Sequence, residues 1–178
     1  MPEAALEQHE TGVVPADDGW FVLNLAAIGW ETHEGGGTWC VFEAPNARSR
    51  LLGSGVHVLA PGESPGYYHR ENEQEGFLVL SGECVAIVEG EERPMAAWDY
   101  LHCPPGTAHI IVATGDRPCA IMMVGTRSAD RALHYPVEPA AVRYGKSVAE
   151  ATDSSDVAYA QRPPIVPARS PWPAIIAG

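Results

Sequence analysis

The sequence is poor in positive charge. It contains 11 Lys and Arg residues against 23 Asp and Glu residues, which leaves a formal net charge of −12 at pH 7. Binding to the phosphates of a nucleic acid or to an anionic membrane surface depends on clustered Lys and Arg. We therefore expect neither nucleic acid nor membrane as a partner.

Long hydrophobic runs are also missing. No stretch approaches the roughly 18 consecutive apolar residues that a membrane-spanning helix needs. The first ten residues, MPEAALEQHE, have neither the basic nor the apolar region of a signal peptide. We expect a cytoplasmic protein.

Paired cysteines are a third absence. Cys40, Cys84, Cys103 and Cys119 are widely spaced, and no C-x-x-C pair occurs. Neither a zinc knuckle nor a redox pair is indicated. We interpret the four thiols as buried side chains packed in a core.

Glycine and proline, by contrast, are plentiful. The chain of 178 residues, which is within the range of one domain, has 18 Gly and 16 Pro without a repeating period. Its apolar fraction of 46% and charged fraction of 19% are typical of a globular protein. Many turns and little room for long helices favour an all-β fold.

The pattern changes along the chain. Residues 1–18 are polar, acidic and without periodicity, which predicts a flexible N-terminal arm. In residues 20–42, the apolar runs WFVLNLAAIGW and TWCVF flank a triple-glycine turn and predict two strands. Residues 127–178 predict an extension with at most one short helix, started by a weak capping box at Ser147, and a proline-rich tail that cannot form an inner strand.

Residues 51–125 carry the clearest strand pattern. Short apolar runs alternate there with Gly, Pro and Asp turns at intervals of about 8 to 12 residues, as in a β-sandwich or barrel. The runs are GVHVLAPGE, EGFLVLSGE, CVAIVEGEE, DYLHCPPGT, AHIIVATGD and CAIMMVGT.

Four polar residues interrupt these apolar strands. His69 and Glu71 are two apart, so on an extended strand they share a face, and a turn or bulge can return Glu75 to it. His109 begins another strand after a turn of Gly and Pro. Taken singly, each residue is more often an ordinary polar side chain. Together they predict a site for one divalent ion, zinc, manganese, iron or nickel.

The spacing of these residues resembles the two motifs of the cupin superfamily. The resemblance covers about residues 50–126 and implies a cupin barrel (a double-stranded β-helix, jelly-roll-like) at 19–126, with motifs at 66–82 and 99–113 and an N-terminal strand extension. The first motif is matched by His69, Glu71, Glu75 and Gly82, and the second by Pro104, Gly106 and His109, with Asp99 five residues before the proline.

Two departures from the cupin pattern stand out. Trp98 replaces the usual glycine, and Glu71 stands where most metal-binding cupins have a second histidine. If Glu71 binds the ion directly, two carboxylates and two imidazoles make the site neutral and lower its Lewis acidity. Alternatively Glu71 is a nearby base or a hydrogen-bond acceptor beside the ligands.

Further residues are candidates for a substrate pocket. They are Tyr67, Phe77, Val79, His102 and Ile111. Tyr67 is equally compatible with an ordinary sheet aromatic, and both His102 and His57 with a packed structural histidine.

The resemblance implies a metal-dependent enzyme of oxygenase, isomerase or decarboxylase type that acts on a small organic molecule. Arg70 is the only Arg or Lys within the two motifs and points away from His69 by alternation, which disfavours a strongly anionic substrate. One alternative is a non-catalytic binding or sensing module with a structural metal. Another is a cupin without metal, although two buried carboxylates would then repel each other. Cupins commonly pair, so a homodimer is expected.

Overall fold

The structure of the protein is a computed structural model that describes residues 1–172. Antiparallel β-strands make up almost all of its regular structure. The first seven strands in this range are β1 (Leu6–His9), β2 (Gly12–Pro15), β3 (Trp30–His33), β4 (Gly37–Val41), β5 (Leu52–Leu59), β6 (Arg70–Glu71) and β7 (Glu75–Ser81). The next seven are β8 (Glu83–Val88), β9 (Glu91–Ala96), β10 (Tyr100–Cys103), β11 (His109–Thr114), β12 (Cys119–Thr126), β13 (Leu133–His134) and β14 (Val166–Ala168). Two single-turn helices accompany them, α1 (Pro139–Val142) and α2 (Ser155–Ala158).

Two sheets enclose the core. One has seven strands in the order β10-β7-β12-β5-β4-β3-β14, and the other has the order β11-β8-β9. Alternate residues of each strand point inward. The inward-facing side chains form one buried cluster that includes Leu59, Phe77, Val79, Ile111 and Ile121. The result is an all-β sandwich, as the strand pattern predicted, and it is jelly-roll-like, as the resemblance implied.

The outer face of each sheet is also partly covered. Ile28 and Trp30 pack with Val56 and Val58 on the outside of the seven-stranded sheet. Helix α1 covers the outside of the three-stranded sheet, where Ala140 and Ala141 join a second outer cluster. Strands β5 and β11 are therefore buried on both faces, which explains why their sequences show little polar alternation.

Most of the predicted strands are present. All six apolar runs of residues 51–125 contain a strand, and β3 and β4 confirm the N-terminal extension of the sheet. Strand β9 was not predicted, because only Met95 of its sequence EERPMA is buried. The run at residues 20–30 is mostly irregular, since the carbonyl of Asn24 accepts hydrogen bonds from the amides of Ala27 and Ile28 and closes a turn.

The predictions for the two ends of the chain need correction. Residues 6–15 form the β1–β2 hairpin instead of an irregular arm, because backbone pairing needs no apolar periodicity. The extension at 127–178 holds two short helices, not one. Their N-caps are Glu138 and Ser154, so the capping box predicted at Ser147 is wrong.

The tail follows the expected rule for proline. Strand β14, which contains Pro167, pairs with β3 at the edge of the seven-stranded sheet. The remainder of the predicted proline-rich tail, residues 173–178, lies outside the described residues.

Two other expectations concern the chain as a whole. All four cysteines are buried free thiols, as predicted. Within residues 1–172, no helix has the length and hydrophobicity needed to cross a bilayer. The cytoplasmic location stays a prediction.

The glycine between β7 and β8 provides a test of the fold. Gly82 has φ +76°, and a Cβ there would lie 2.5 Å from the carbonyl oxygen of Pro118. Gly62 has φ +85° but open space around it. Both Gly→Ala variants incur about 1 kcal/mol for the positive φ, and Gly82→Ala should lose about 2 kcal/mol more because of the clash. Urea unfolding measures both, and equal losses would contradict the proposed close packing.

A buried ion pair provides a pH test. Arg127 donates to both carboxylate oxygens of Glu43 at 2.6 and 2.7 Å, and these hydrogen bonds hold the pKa of Glu43 below its usual range. A lowered pKa stabilises the fold above the unfolded value of about 4.3, and the contribution is lost as the pH falls through the folded value.

We expect Arg127→Met to cost about 2 kcal/mol at pH 7, between the values for exposed and buried pairs. The difference from wild type should shrink below about pH 4. Arg117→Met, at an exposed pair with Asp116, is the control and should cost little. A pH-independent difference for Arg127→Met, measured by urea unfolding, would show that the pair does not act through its charge.

Candidate metal centre

A backbone bridge brings the two motif histidines together. The amide of His69 donates to the carbonyl of His109 at 3.1 Å, and the amide of His109 donates to the carbonyl of His69 at 2.8 Å. Residues directly opposite in an antiparallel pair carry their side chains on the same face. The two imidazole rings accordingly lie with their centroids 5.1 Å apart.

Both imidazoles are oriented by their own chain. The Nδ1 of His69 lies 2.9 Å from the carbonyl oxygen of Tyr67, and the Nδ1 of His109 lies 3.0 Å from that of Thr107. A carbonyl can only accept, so each Nδ1 carries the hydrogen. Each Nε2 is then an unprotonated acceptor in the neutral ring, which is the form that binds a metal ion.

Glu75 supplies the third ligand atom. Its Oε2 lies 3.1 Å from Nε2 of His109 and 3.7 Å from Nε2 of His69. These three side chains place one ligand atom each within 4.8 Å of the others. Two ligands bound to one ion at about 2.1 Å in tetrahedral geometry are about 3.4 Å apart, so the spacing fits a shared ion.

Unsatisfied polar atoms support this interpretation. Oε2 of Glu75 and Nε2 of His109 are buried and have no hydrogen-bond partner among the described residues. Their 3.1 Å contact lacks hydrogen-bond geometry. Buried polar atoms are nearly always paired, and acceptors that converge on one point are satisfied by a cation. The residues present therefore fit a divalent metal ion.

Burial and the neighbouring side chains have opposite effects on the pKa values of Glu75 and His109. Burial opposes ionisation of Glu75, but the neighbouring His109 and His69 outweigh it and lower the pKa of Glu75. Burial also opposes protonation of His109, yet contacts with Cys103 and Glu75 raise its pKa to about 10. The pKa of His69 is lowered, first by burial and then by the charge of His109. The lowered pKa of Glu75 therefore favours its charged carboxylate beside the two imidazoles.

A tethered turn holds Glu75 in place. The carboxylate of Glu73 accepts hydrogen bonds from the hydroxyls of Thr126, at 2.6 Å, and Ser128. The side chain of Asn72 donates to the carbonyl of Asp130 and accepts from the amide of Ala132. The turn at residues 72–74 is thus fastened to the segment that follows β12, and β7 starts at Glu75.

The fourth predicted ligand, Glu71, has a different partner. Its Oε2 accepts from Nε of Arg131 at 2.6 Å and also contacts Nη2 of Arg131. Burial and the charge of Glu75 raise the pKa of Glu71, so the two carboxylates are close. The contacts favour the alternative in which Glu71 is an acceptor beside the ligands. Direct ligation by Glu71 stays a prediction.

A cavity of about 570 Å³ opens at the three ligands. Of the five predicted pocket residues, Phe77 and Ile111 line it. Val79 is fully buried in the core between the sheets. Tyr67 stacks on Tyr159, with the ring centroids 5.3 Å apart, and does not itself line the cavity.

The prediction for His102 is wrong, as is the alternative that it is a packed structural residue. His102 is exposed on β10, where Leu101 and Cys103 are the residues that face inward. Alternation then points His102 to solvent. The sequence alone did not establish which face of this short strand is buried.

Sequence reasoning missed several cavity residues. His57 lines the cavity and stacks on Trp39, and burial lowers the pKa of His57 to about 4. The signal was its alternation with Val56 and Val58, which shows that it faces away from them. Four further lining residues lie between 65 and 123, and they are Pro65, Gly66, Ile110 and Met123. The others come from the C-terminal extension and are Arg131, Leu133, Tyr135, Ser155, Asp156, Tyr159 and Arg162.

The two arginines correct an expectation about charge. Arg70 is exposed, as its alternation with His69 predicted. Arg131 and Arg162 nevertheless line the cavity. The argument against an anionic substrate considered only the two motifs and therefore does not hold.

Comparisons with known proteins agree with this architecture. A family model described as Cupin domain matches residues 55–125, and no curated protein matches. A solved structure from Silicibacter pomeroyi, described as a sugar phosphate isomerase from a cupin superfamily, is 27% identical with a TM-score of 0.45. It aligns with 47% of this chain, and this chain covers 55% of its length.

Two other solved structures are more distant in sequence. An RmlC-like cupin from Shewanella frigidimarina is 19% identical over 57% of this chain and 85% of its own, with a TM-score of 0.48. The polyketide cyclase RemF from Streptomyces resistomycificus is 15% identical over 50% and 63%, with a TM-score of 0.45. Residues 55–125, which hold most strands of the sandwich, thus match the Cupin domain family.

Proposed function

We propose that the protein is a metal-dependent enzyme that binds a small organic molecule beside one divalent ion. One observation carries the proposal: the two Nε2 atoms and the Glu75 carboxylate converge at the wall of an open cavity. Catalytic sites typically use three protein ligands and keep a further position for water or substrate. Structural sites are usually closed by four protein ligands.

His69, Glu75 and His109 would hold the ion, which, when bound, supplies a Lewis acid that polarises an oxygen of the substrate. Two neutral imidazoles and one carboxylate leave a divalent ion with a net charge of +1. Zinc, manganese, iron and nickel all suit such nitrogen and oxygen donors.

The rest of the cavity has complementary roles. Phe77, Ile111 and Met123 provide an apolar wall for the organic part of the substrate. Tyr135 and Tyr159 pack edge to face, with ring centroids 5.8 Å apart, and limit the access of water on the other side. An oxygenase, isomerase or decarboxylase reaction fits this combination of an ion and a small, partly apolar pocket.

A second candidate is a non-catalytic binding or sensing protein with a structural metal. The observation that favours it is the position of Glu71, whose carboxylate lies close to that of Glu75. A small rotation of Glu71 would add a fourth protein ligand and close the coordination sphere. An open coordination position on the metal separates the two candidates.

The proposed partners follow from the same features. The ligand is a small molecule, and the charge of −12 disfavours nucleic acid and membranes. A homodimer is also proposed. On the outer face of β7, Leu78 is only half-buried and lies opposite the exposed Tyr100.

Metal content is the direct test of the proposed ligands. Wild-type protein should contain about one divalent ion per chain, and the His69→Ala/His109→Ala variant less than about a tenth of that, since metal affinity depends on each ligand. Elemental analysis of protein purified without added metal measures this. His102→Ala removes an exposed histidine and should leave the content unchanged. Equal metal in all three proteins would exclude the site.

An exchangeable water separates the enzyme from the structural alternative. Protein loaded with Mn²⁺ should increase the relaxation rate of water protons, because water exchanges at the open position on the ion. The increase should be well above that expected for the same concentration of Mn²⁺ in a closed site. Glu71→Gln, which cannot close the shell as a carboxylate, should show at least the wild-type enhancement. If the wild type shows little enhancement and Glu71→Gln shows a large one, the wild-type site is closed and the metal is structural.

A further inference from the structure

The guanidinium of Arg131 is only partly used by the protein. Both of its contacts, from Nε and Nη2, converge on a single oxygen of Glu71. Its Nη1 makes no hydrogen bond within the described residues. A guanidinium has five N–H donors in a fixed plane, so the edge formed by Nη1 and the second hydrogen of Nη2 stays available.

Arg131 is placed where a ligand can reach it. Its side chain is 50% exposed, whereas that of Glu71 is 4% exposed. It lines the same cavity as the three metal ligands. Glu71 therefore anchors the guanidinium from its buried side, and the exposed part of Arg131 borders both this cavity and a second one lined by Asn72 and Gly106.

The charges of the cavity indicate which anion fits. Arg131 and Arg162 are matched against Glu71, Glu75 and Asp156, the last of which also lines the cavity. A divalent ion on the three ligands then leaves one net positive charge. One carboxylate cancels this charge, whereas the dianion of a phosphate ester exceeds it and approaches Glu75 and Asp156.

The shape of the free edge agrees with a carboxylate. Two parallel N–H donors match the two oxygens of a planar carboxylate in a bidentate pair. The apolar wall formed by Phe77, Ile111 and Met123 then receives an aliphatic part.

We propose that the substrate is a monocarboxylate with an apolar side chain, such as a 2-oxo or 2-hydroxy acid, whose carboxylate is bound by the cavity-facing edge of Arg131. This inference rests on the proposed function, because the oxygen next to the carboxylate is the group that reaches the metal position. Glu71 is the positioning residue that holds Arg131 in place.

Binding of 4-methyl-2-oxopentanoate tests the proposal, with its neutral amide as the matched control. Calorimetry on Mn²⁺-loaded wild type should show binding of the acid at least tenfold tighter than that of the amide. Arg131→Met should weaken the acid at least tenfold and leave the amide unchanged. Arg143→Met removes a charge that pairs with Glu92 at the surface and should leave both ligands unchanged.

Glu71→Gln separates a binding role from a merely structural ion pair. If Arg131 binds the carboxylate, the Gln side chain still offers an oxygen that accepts from Nε of Arg131 and keeps it in place, but it removes the negative charge. The acid should then bind at least as tightly as to wild type. If the pair only stabilises the fold, Arg131→Met and Glu71→Gln should weaken the acid alike, which would overturn the proposal. The double variant Glu71→Gln/Arg131→Met, which buries no unpaired charge, should fold and show the weak binding of Arg131→Met.

Three further outcomes overturn the inference. The first is equal affinity of wild type for the acid and the amide. The second is a loss of affinity for the acid in Arg162→Met but not in Arg131→Met. The third is tighter binding of isobutyl phosphate, which matches the acid in size, than of the acid itself. Metal content is measured on the same samples, so its absence from wild type refutes the proposed function separately. The acid is also titrated into metal-free protein, where Arg131→Met should still bind the acid more weakly than wild type does.

Discussion

The paired hydrogen bonds between the backbones of His69 and His109 are the contact on which the site depends. They join the first motif to β11, whose first residue is the histidine of the second motif. Once these two residues lie opposite each other, both side chains must share a face. Each ring is then fixed by a carbonyl two residues earlier, so the geometry of the imidazoles is a property of the backbone. Glu75 needs only the start of β7 to complete the set.

The segment that follows β12 does the remaining positioning. Thr126 and Ser128 hold the carboxylate of Glu73, and the backbone at residues 130 and 132 holds the side chain of Asn72. Arg131 lies between those last two contacts and pairs with Glu71. The same few residues therefore fasten the turn before Glu75 and neutralise the second carboxylate. Any shift of this segment would change the ligand set and the charge of the cavity together.

The motif residues could be predicted from the sequence because local rules place them. Alternation, the glycine and proline turns and the resemblance to the two cupin motifs together selected His69, Glu75 and His109. Arg131 is 60 positions away from Glu71 along the chain, and no local pattern links the two. His102 failed for a different reason: its strand has four residues, and the sequence does not show which face is buried. The β1–β2 hairpin was missed because its residues are mostly exposed and show no hydrophobic periodicity.

Two carboxylates in close proximity within a protein repel each other unless positive charges compensate them or one of them is protonated. The chain itself provides one positive charge, since Arg131 compensates Glu71. Glu75 has no such arginine, and its contacts are the two imidazoles. Contacts with Cys103 and Glu75 raise the pKa of His109 to about 10, which favours a proton on His109 when no cation is bound. A divalent ion competes for the same lone pair on Nε2, and it also satisfies His69 and Glu75 together, which a single proton on His109 does not. This difference in the number of satisfied groups is the physical reason that the cluster favours a metal ion over a proton.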